Sequence, residues 1–214
     1  MRKSFVFLFC MVVTMATVFA QTGYKPATDE QQKVLMRKIT EASEQMKTLQ
    51  CDFVQKKIFS ILEEELVSEG RLYFKQKNKI RWAYNKPYLF EFVMNGDKVM
   101  INSEGTKNIM DVSSSKMFRE MSKLIIAGVN ASGIFDPAKF SFKFMTGAKD
   151  NMVILSPKQK EIKQMFKTIT IYFNASDYTI NTIEIEEPNG DRTVITMKNK
   201  QINKELSDEI FAIR

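Results

Sequence analysis

Between Glu69 and Asp97 the sequence EGRLYFKQKNKIRWAYNKPYLFEFVMNGD puts a bulky apolar residue at every second position in three successive runs: Leu72 and Phe74; Ile80, Trp82 and Tyr84; Phe90, Phe92 and Met94. Successive side chains of a strand point to opposite faces, so this spacing builds three strands that share one apolar, aromatic-rich wall. Arg71, Lys75, Lys79, Arg81 and Glu91 fall on the other side. Lys77-Asn78 and Lys86-Pro87 mark the turns between the runs. Asn95-Gly96, two residues that tolerate positive φ, opens a hairpin into Val99 and Ile101. A wall of this kind must be covered, and what covers it is the functional question.

Upstream, Thr28 begins a helix. Its hydroxyl and Gln31 form a capping box, and Asp29 and Glu30 suit the positive helix end. Leu35, Ile39, Ala42, Met46 and Leu49 then recur at spacings of three and four, a single apolar stripe that predicts a helix to about Leu49 lying across the wall. Cys51 to Ile61 reads as a strand with Phe53 inward, followed by an acidic turn or strand edge at Glu63-Glu64-Glu65. Downstream, Asn108 to Val112 completes six strands in meander order. No crossover helix separates them, which makes the sheet antiparallel.

From Ser113 to Gly128 the period becomes helical. Met117, Met121, Leu124 and Ile125 share a face, Ser113 or Ser114 can cap, and Gly128 can end the helix. Alternation resumes at Phe140, Phe142 and Phe144. It continues through Met152 to Leu155, then Ile169, Ile171 and Phe173, then Ile183 and Ile185. Asn189-Gly190 turns the last hairpin into Val194 to Lys198, and Leu206 to Ile213 forms a short tail. The sum is an α+β chain of about eleven strands and two helices, in which so long an antiparallel sheet must curl and present a concave face to the helices.

The first twenty residues are read as a cleavable signal peptide. Arg2 and Lys3 precede an apolar run from Phe5 to Val18, and Val18-Phe19-Ala20 supplies the cleavage site. The run is shorter than the roughly 20 apolar residues of a membrane span. Residues 21–214 are then read as one domain. Phe9 before Cys10 is too large for a lipidation site, so the mature chain keeps a lone Cys51 and must be stabilised by its core without an internal disulfide. Arg2 and Lys3 leave with the leader, taking the formal charge from +7 to +5. That balance suits anionic head groups or an acidic partner. The lysines are scattered and the aromatics lie on apolar strand faces, which argues against nucleic acid. With no histidine in the chain, the usual triads and most transition-metal sites are excluded, and neither enzyme activity, a metal nor a cofactor is expected.

Phe53-Val54-Gln55, Gly70-Arg71-Leu72-Tyr73-Phe74, Asn78-Lys79-Ile80-Arg81-Trp82-Ala83-Tyr84, Pro87 and Asn95-Gly96-Asp97-Lys98 form an ordered set. In that order they resemble the outer-membrane lipoprotein carrier proteins of bacteria, the LolA family. The resemblance covers Cys51 to Ile101 closely and the later strands loosely. It implies an incomplete β-barrel with helices as a lid over an apolar cavity for acyl chains, a fold shared with the family's lipid-anchored acceptor. Under it, the cavity walls are Phe53, Leu72, Phe74, Ile80, Trp82, Tyr84, Phe90, Phe92, Met94, Phe142, Phe144, Ile169, Ile171 and Ile183, joined by Met117 and Met121. Leu35, Ile39 and Met46 belong to the lid helix.

The resemblance also implies a periplasmic monomer that receives acylated lipoprotein or lipid cargo from an inner-membrane ABC transporter and yields it to an outer-membrane acceptor. Lys75, Lys77, Lys79 and Arg81 form the basic run suited to docking a head group or partner. The carriers often place an arginine that holds the lid where this chain has Gln76, so either another latch or a looser lid is expected. A non-transporting lipid sensor or protein-interaction module with the same fold is the alternative reading.

Overall fold

The computed structural model describes residues 23–61, 64–112, 116–131 and 133–214, and for residues 116–121 and 124 the backbone alone. The signal-peptide reading, the serine cap of the second helix and Glu63 therefore fall outside the described residues, as do the side chains of Met117 and Met121.

Twelve strands form one antiparallel sheet: β1 (Lys25–Pro26), β2 (Thr48–Phe59), β3 (Glu64–Lys75), β4 (Lys79–Lys86), β5 (Phe90–Asn95), β6 (Lys98–Ser103), β7 (Thr106–Asp111), β8 (Phe140–Thr146), β9 (Asp150–Pro157), β10 (Thr168–Asn174), β11 (Ile180–Glu186) and β12 (Arg192–Ile202). Their spatial order is β1-β8-β9-β10-β11-β12-β2-β3-β4-β5-β6-β7, so β12 pairs with β2 to join the two meanders and the barrel stays open between β1 and β7. Among the described residues three α-helices accompany the sheet: α1 (Asp29–Gln45), α2 (Lys116–Asn130) and the short α3 (Lys160–Lys163).

The meander order and the alternating wall are as the sequence predicts, with twelve strands where eleven were expected. The extra strand, β1, has two residues and pairs Lys25 with Thr146 and Pro26 with Met145. It is too short to show a period. The short α3 escaped for the same reason.

The register carries the wall across the sheet. Cys51, Leu72, Trp82, Phe92 and Ile101 stand opposite one another on β2 to β6, with Leu49, Phe74, Ile80, Met94 and Val99 as the neighbouring row. In the other meander Phe144, Val153, Ile171, Ile183 and Ile195 make a matching row. All three rows join residues of α1 and α2 in one core cluster.

Helix α1 begins as expected. The Gln31 N–H donates to Thr28 Oγ1 (3.3 Å) while the Thr28 N–H donates to Gln31 Oε1 (2.9 Å). It ends four residues earlier than its apolar stripe predicts. Met46 is the C-cap in extended conformation, and Leu49 belongs to β2, where it is buried on the inner face. The stripe misleads because an inward residue on the strand continues the helical spacing by coincidence. Helix α2 likewise runs through Gly128 to Asn130 and stops at Ala131, at φ +64°.

Candidate functional site

A cavity of about 450 Å³ lies between α2 and the inner face of β9 to β12. Ile125, Ile126, Ala127 and Gly128 of α2 face Leu155, Ile169, Ile171, Ile183, Ile185 and Ile195 of the strands, and Trp82 reaches in from β4. Ile134, Phe140 and Phe166 contribute further apolar surface, while Asn78, Lys123 and Lys139 are the polar side chains of the lining. Gly128 brings the helix near the sheet: a Cβ built on it would lie 3.6 Å from Ile183 Cδ1. The β-branched side chains are stiff at χ1 and project straight from the pleat, so the strands form a firm apolar floor.

The predicted wall residues do not share one environment. Trp82, Ile169, Ile171 and Ile183 line the cavity. Phe53, Leu72, Phe74, Ile80 and Met94 are at most 2% exposed and belong to the buried core cluster that also holds Leu35, Ile39 and Met46. Tyr84 and Phe92 are half-buried against that core. The Tyr84 hydroxyl donates to Gln55 Oε1 at 2.8 Å, its ring meets Phe53 edge-on at 4.9 Å and Phe90 edge-on at 5.7 Å, and burial pushes its phenol well above the usual range. Phe142 and Phe144 form a separate aromatic group with Phe135, whose ring lies 5.8 Å from the first and 5.9 Å from the second. The cavity thus lies beside α2, whereas Leu35 and Ile39 of α1 are buried in the core.

Ile185, Ile195 and Leu155 were missed as lining residues although each alternates in phase with a neighbour on its strand. The signal was present in the period. Which half of the sheet would lie under the looser helix was not.

The Trp82 ring lines the cavity and meets Phe53 edge-on at 5.4 Å. Its buried Nε1 has no hydrogen-bond partner among the described residues.

Gln76 stands where the resemblance expects an arginine, and it does hold the end of α1. Its Nε2 donates to the carbonyl oxygens of Glu44 (3.3 Å) and Met46 (3.2 Å), and its own N–H donates to the Lys47 carbonyl at 2.9 Å. Asn203 adds a second tie, accepting from the Lys47 N–H at 2.7 Å and donating to the Gln45 carbonyl at 3.1 Å. Orphan carbonyls at a helix end need such partners.

The basic run is engaged by the chain's own tail. A 3-10 turn at Asp208–Phe211 packs over β4 and β5 on the face opposite the cavity, with Phe211 fully buried. Lys75 Nζ donates to the Leu206 carbonyl and to Asp208 Oδ1, Lys79 Nζ lies 3.1 Å from Asp208 Oδ1, and Arg81 donates to the Ile210 carbonyl at 3.0 Å. These two lysines hold the Asp208 carboxyl below its usual range. Lys77 is exposed in the β3–β4 turn at φ +67°. Val93 and Met100, on the outer face, are buried on this side of the sheet.

The family profile described as "Outer membrane lipoprotein carrier protein LolA" matches residues 44–214. The chain belongs to the LolA family. Similar solved structures include an uncharacterized conserved protein from Thermus thermophilus, 10% identical, with 86% of this chain and 94% of that one covered at a TM-score of 0.52. A LolA superfamily protein from Nitrosomonas europaea is 9% identical, with 83% and 97% covered and a TM-score of 0.42. The Mycobacterium tuberculosis lipoprotein LppX is 10% identical, with 84% and 99% covered and a TM-score of 0.49. No curated protein matches the sequence. The LolA family is a carrier and binding fold.

Proposed function

We propose that this LolA-family protein is a periplasmic carrier that shelters lipoprotein acyl chains and moves them from the inner to the outer membrane. The apolar cavity between α2 and β9 to β12 is the observation that carries this reading. Leaving an acyl chain in water is unfavourable by about 0.8 kcal/mol per methylene, so a carrier needs an apolar recess. A wall made partly of one helix, in contrast to a closed strand barrel, allows release. In this reading an ABC transporter loads the carrier and an outer-membrane acceptor unloads it. Docking through Lys75, Lys77, Lys79 and Arg81 would require the tail to lift from three of them.

The test is native purification from the envelope fraction followed by mass spectrometry of what remains bound. Acylated lipoprotein or its lipid-bearing fragment is the expected result. A protein that repeatedly arrives without acylated cargo, while retaining its fold, would point to the non-transporting alternative.

A further inference from the structure

We propose that the edge strand β7 pairs antiparallel with β7 of a second copy of this chain, Ile109 opposite the partner's Ile109, and so makes a two-fold dimer. This goes beyond the carrier reading and does not depend on it.

The two edges of the sheet are unlike. At one, β1 has two residues, Lys25 and Pro26, and so short a strand, carrying a lysine and a proline, offers little to a further strand. At the other, β7 runs six residues, Thr106–Asp111, with no proline and no shift of register against β6. Hydrogen-bonded and non-bonded pairs alternate along an antiparallel ladder. The Val112 N–H donates to the Asp97 carbonyl at 2.6 Å, which fixes the phase. Asn108 and Met110 therefore turn their N–H and C=O toward β6, while Lys107 and Ile109 turn theirs to the open edge. Those outward backbone groups have no partner among the described residues, and Thr106, Lys107, Asn108 and Ile109 are all exposed.

The side chains of β7 say what fits that edge. Lys107, Ile109 and Asp111 share the outer face, where Ile109 is 56% exposed and carries the buried stripe of Val93 and Met100 out to the edge. A two-fold pairing centred on Ile109 sets this pattern against its own reverse. Each Ile109 meets the partner's Ile109, and each Lys107 meets the partner's Asp111. A slip of one residue would put outward-turned amides opposite inward-turned ones, and a slip of two would set Ile109 against a charge. Lys107 Nζ already donates to the Arg214 carbonyl at 3.1 Å, and Asp111 is engaged within its own chain. Such exposed cross-pairs therefore add little affinity and serve to choose the register. One pair of strands covers less than the roughly 1,000 Å² of a durable interface, which makes the dimer weak and reversible. Because β1 offers no comparable edge, growth stops at two copies.

Sedimentation equilibrium of the purified chain from about 1 μM to about 1 mM should show a reversible monomer–dimer equilibrium with no larger species. Lys107→Asp and Asp111→Lys should each weaken self-association about ten-fold by setting like charges opposite one another, and an equimolar mixture of the two variants should recover it. Oxidised glutathione should join Ile109→Cys into a disulfide dimer at least about ten-fold faster than Thr106→Cys. The two-fold pairing brings the Cα atoms of residue 109 to about 5.5 Å from each other and keeps those of residue 106 about 20 Å apart. The native Cys51, 1% exposed, takes no part. A chain that stays monomeric across the range, equal disulfide rates at the two positions, or a mixture no better associated than its components would overturn the proposal. So would capture of a different protein from the envelope fraction by Ile109→Cys in preference to a second copy, which would assign the edge to another partner.

Discussion

The ring of Phe53 closes over Gly70, its cross-strand partner on β3. A Cβ built on Gly70 would stand 2.0 Å from the Ala83 carbonyl oxygen and 2.7 Å from Cζ of Phe53. The β3–β4 pairing shifts register between Glu69 and Gly70, and a glycine in a strand commonly marks such a bulge or close approach. Gly70→Ala should therefore destabilise the protein by about 3 kcal/mol, the upper end of the usual overpacking cost, in urea unfolding. Since the nearest atom is backbone, Phe53→Ala should not rescue it.

Gln76 ties β3 to the last carbonyls of α1. Gln76→Ala removes two donors from a partly exposed helix end, a loss of about 1 kcal/mol. Amide exchange at Met46 and Lys47 should speed up about five-fold, while Phe74 and Ile80 remain protected. Equal acceleration throughout the sheet would show that Gln76 does not act on the helix end.

The cavity should respond to filling. Ile169 is half-buried on β10 and faces the space under α2. Ile169→Trp places a larger side chain there and is expected to weaken acyl-chain binding at least about ten-fold, with a stability change within about 1–2 kcal/mol. Isothermal titration and thermal unfolding of the same sample separate the two effects.

Acid should loosen the tail. Lys75 and Lys79 hold the Asp208 carboxyl below its ordinary value of 3.8. A depressed folded value means that its contribution is fully present above 3.8 and is lost as the pH falls through the lower folded value. Pepsin cleavage after Phe211, normalised at each pH to an unstructured peptide, should accelerate as the pH falls below 3.8 in the native sequence. In Asp208→Asn the tail should be loose throughout that range, with a smaller pH dependence.

The buried Cys51 should be silent. Burial pushes the Cys51 thiol up to about 12, and the residue is 1% exposed. At about pH 8 iodoacetamide should label it only as fast as the protein opens, because the thiolate is the reactive form. Fast labelling of the folded protein would mean that the core under α1 is more open than its packing implies.

By itself the sequence determined the strands and their faces. Alternation at Leu72 and Phe74, at Ile80, Trp82 and Tyr84, and at Ile169 and Ile171 is a local property, because a pleat fixes side-chain direction residue by residue. Turn chemistry at Asn95-Gly96 and Asn189-Gly190, and the capping box at Thr28, are local in the same sense. Where the helix ends was less legible. Met46 and Leu49 extend the stripe of α1, yet the chain leaves the helix where Gln76 and Asn203, distant in sequence, satisfy its carbonyls.

The tertiary structure alone decided which part of the apolar wall is solid and which part lines a space. Phe53 and Ile171 look alike in an alternating pattern. One is packed in the core, and the other lines a cavity between α2 and four strands. Period records the face to which a side chain points, while cavity volume depends on how two distant elements meet across that face. The tail followed the same rule: Lys75, Lys79 and Arg81 read as an open basic run until the fold brought Asp208 and Ile210 back onto them.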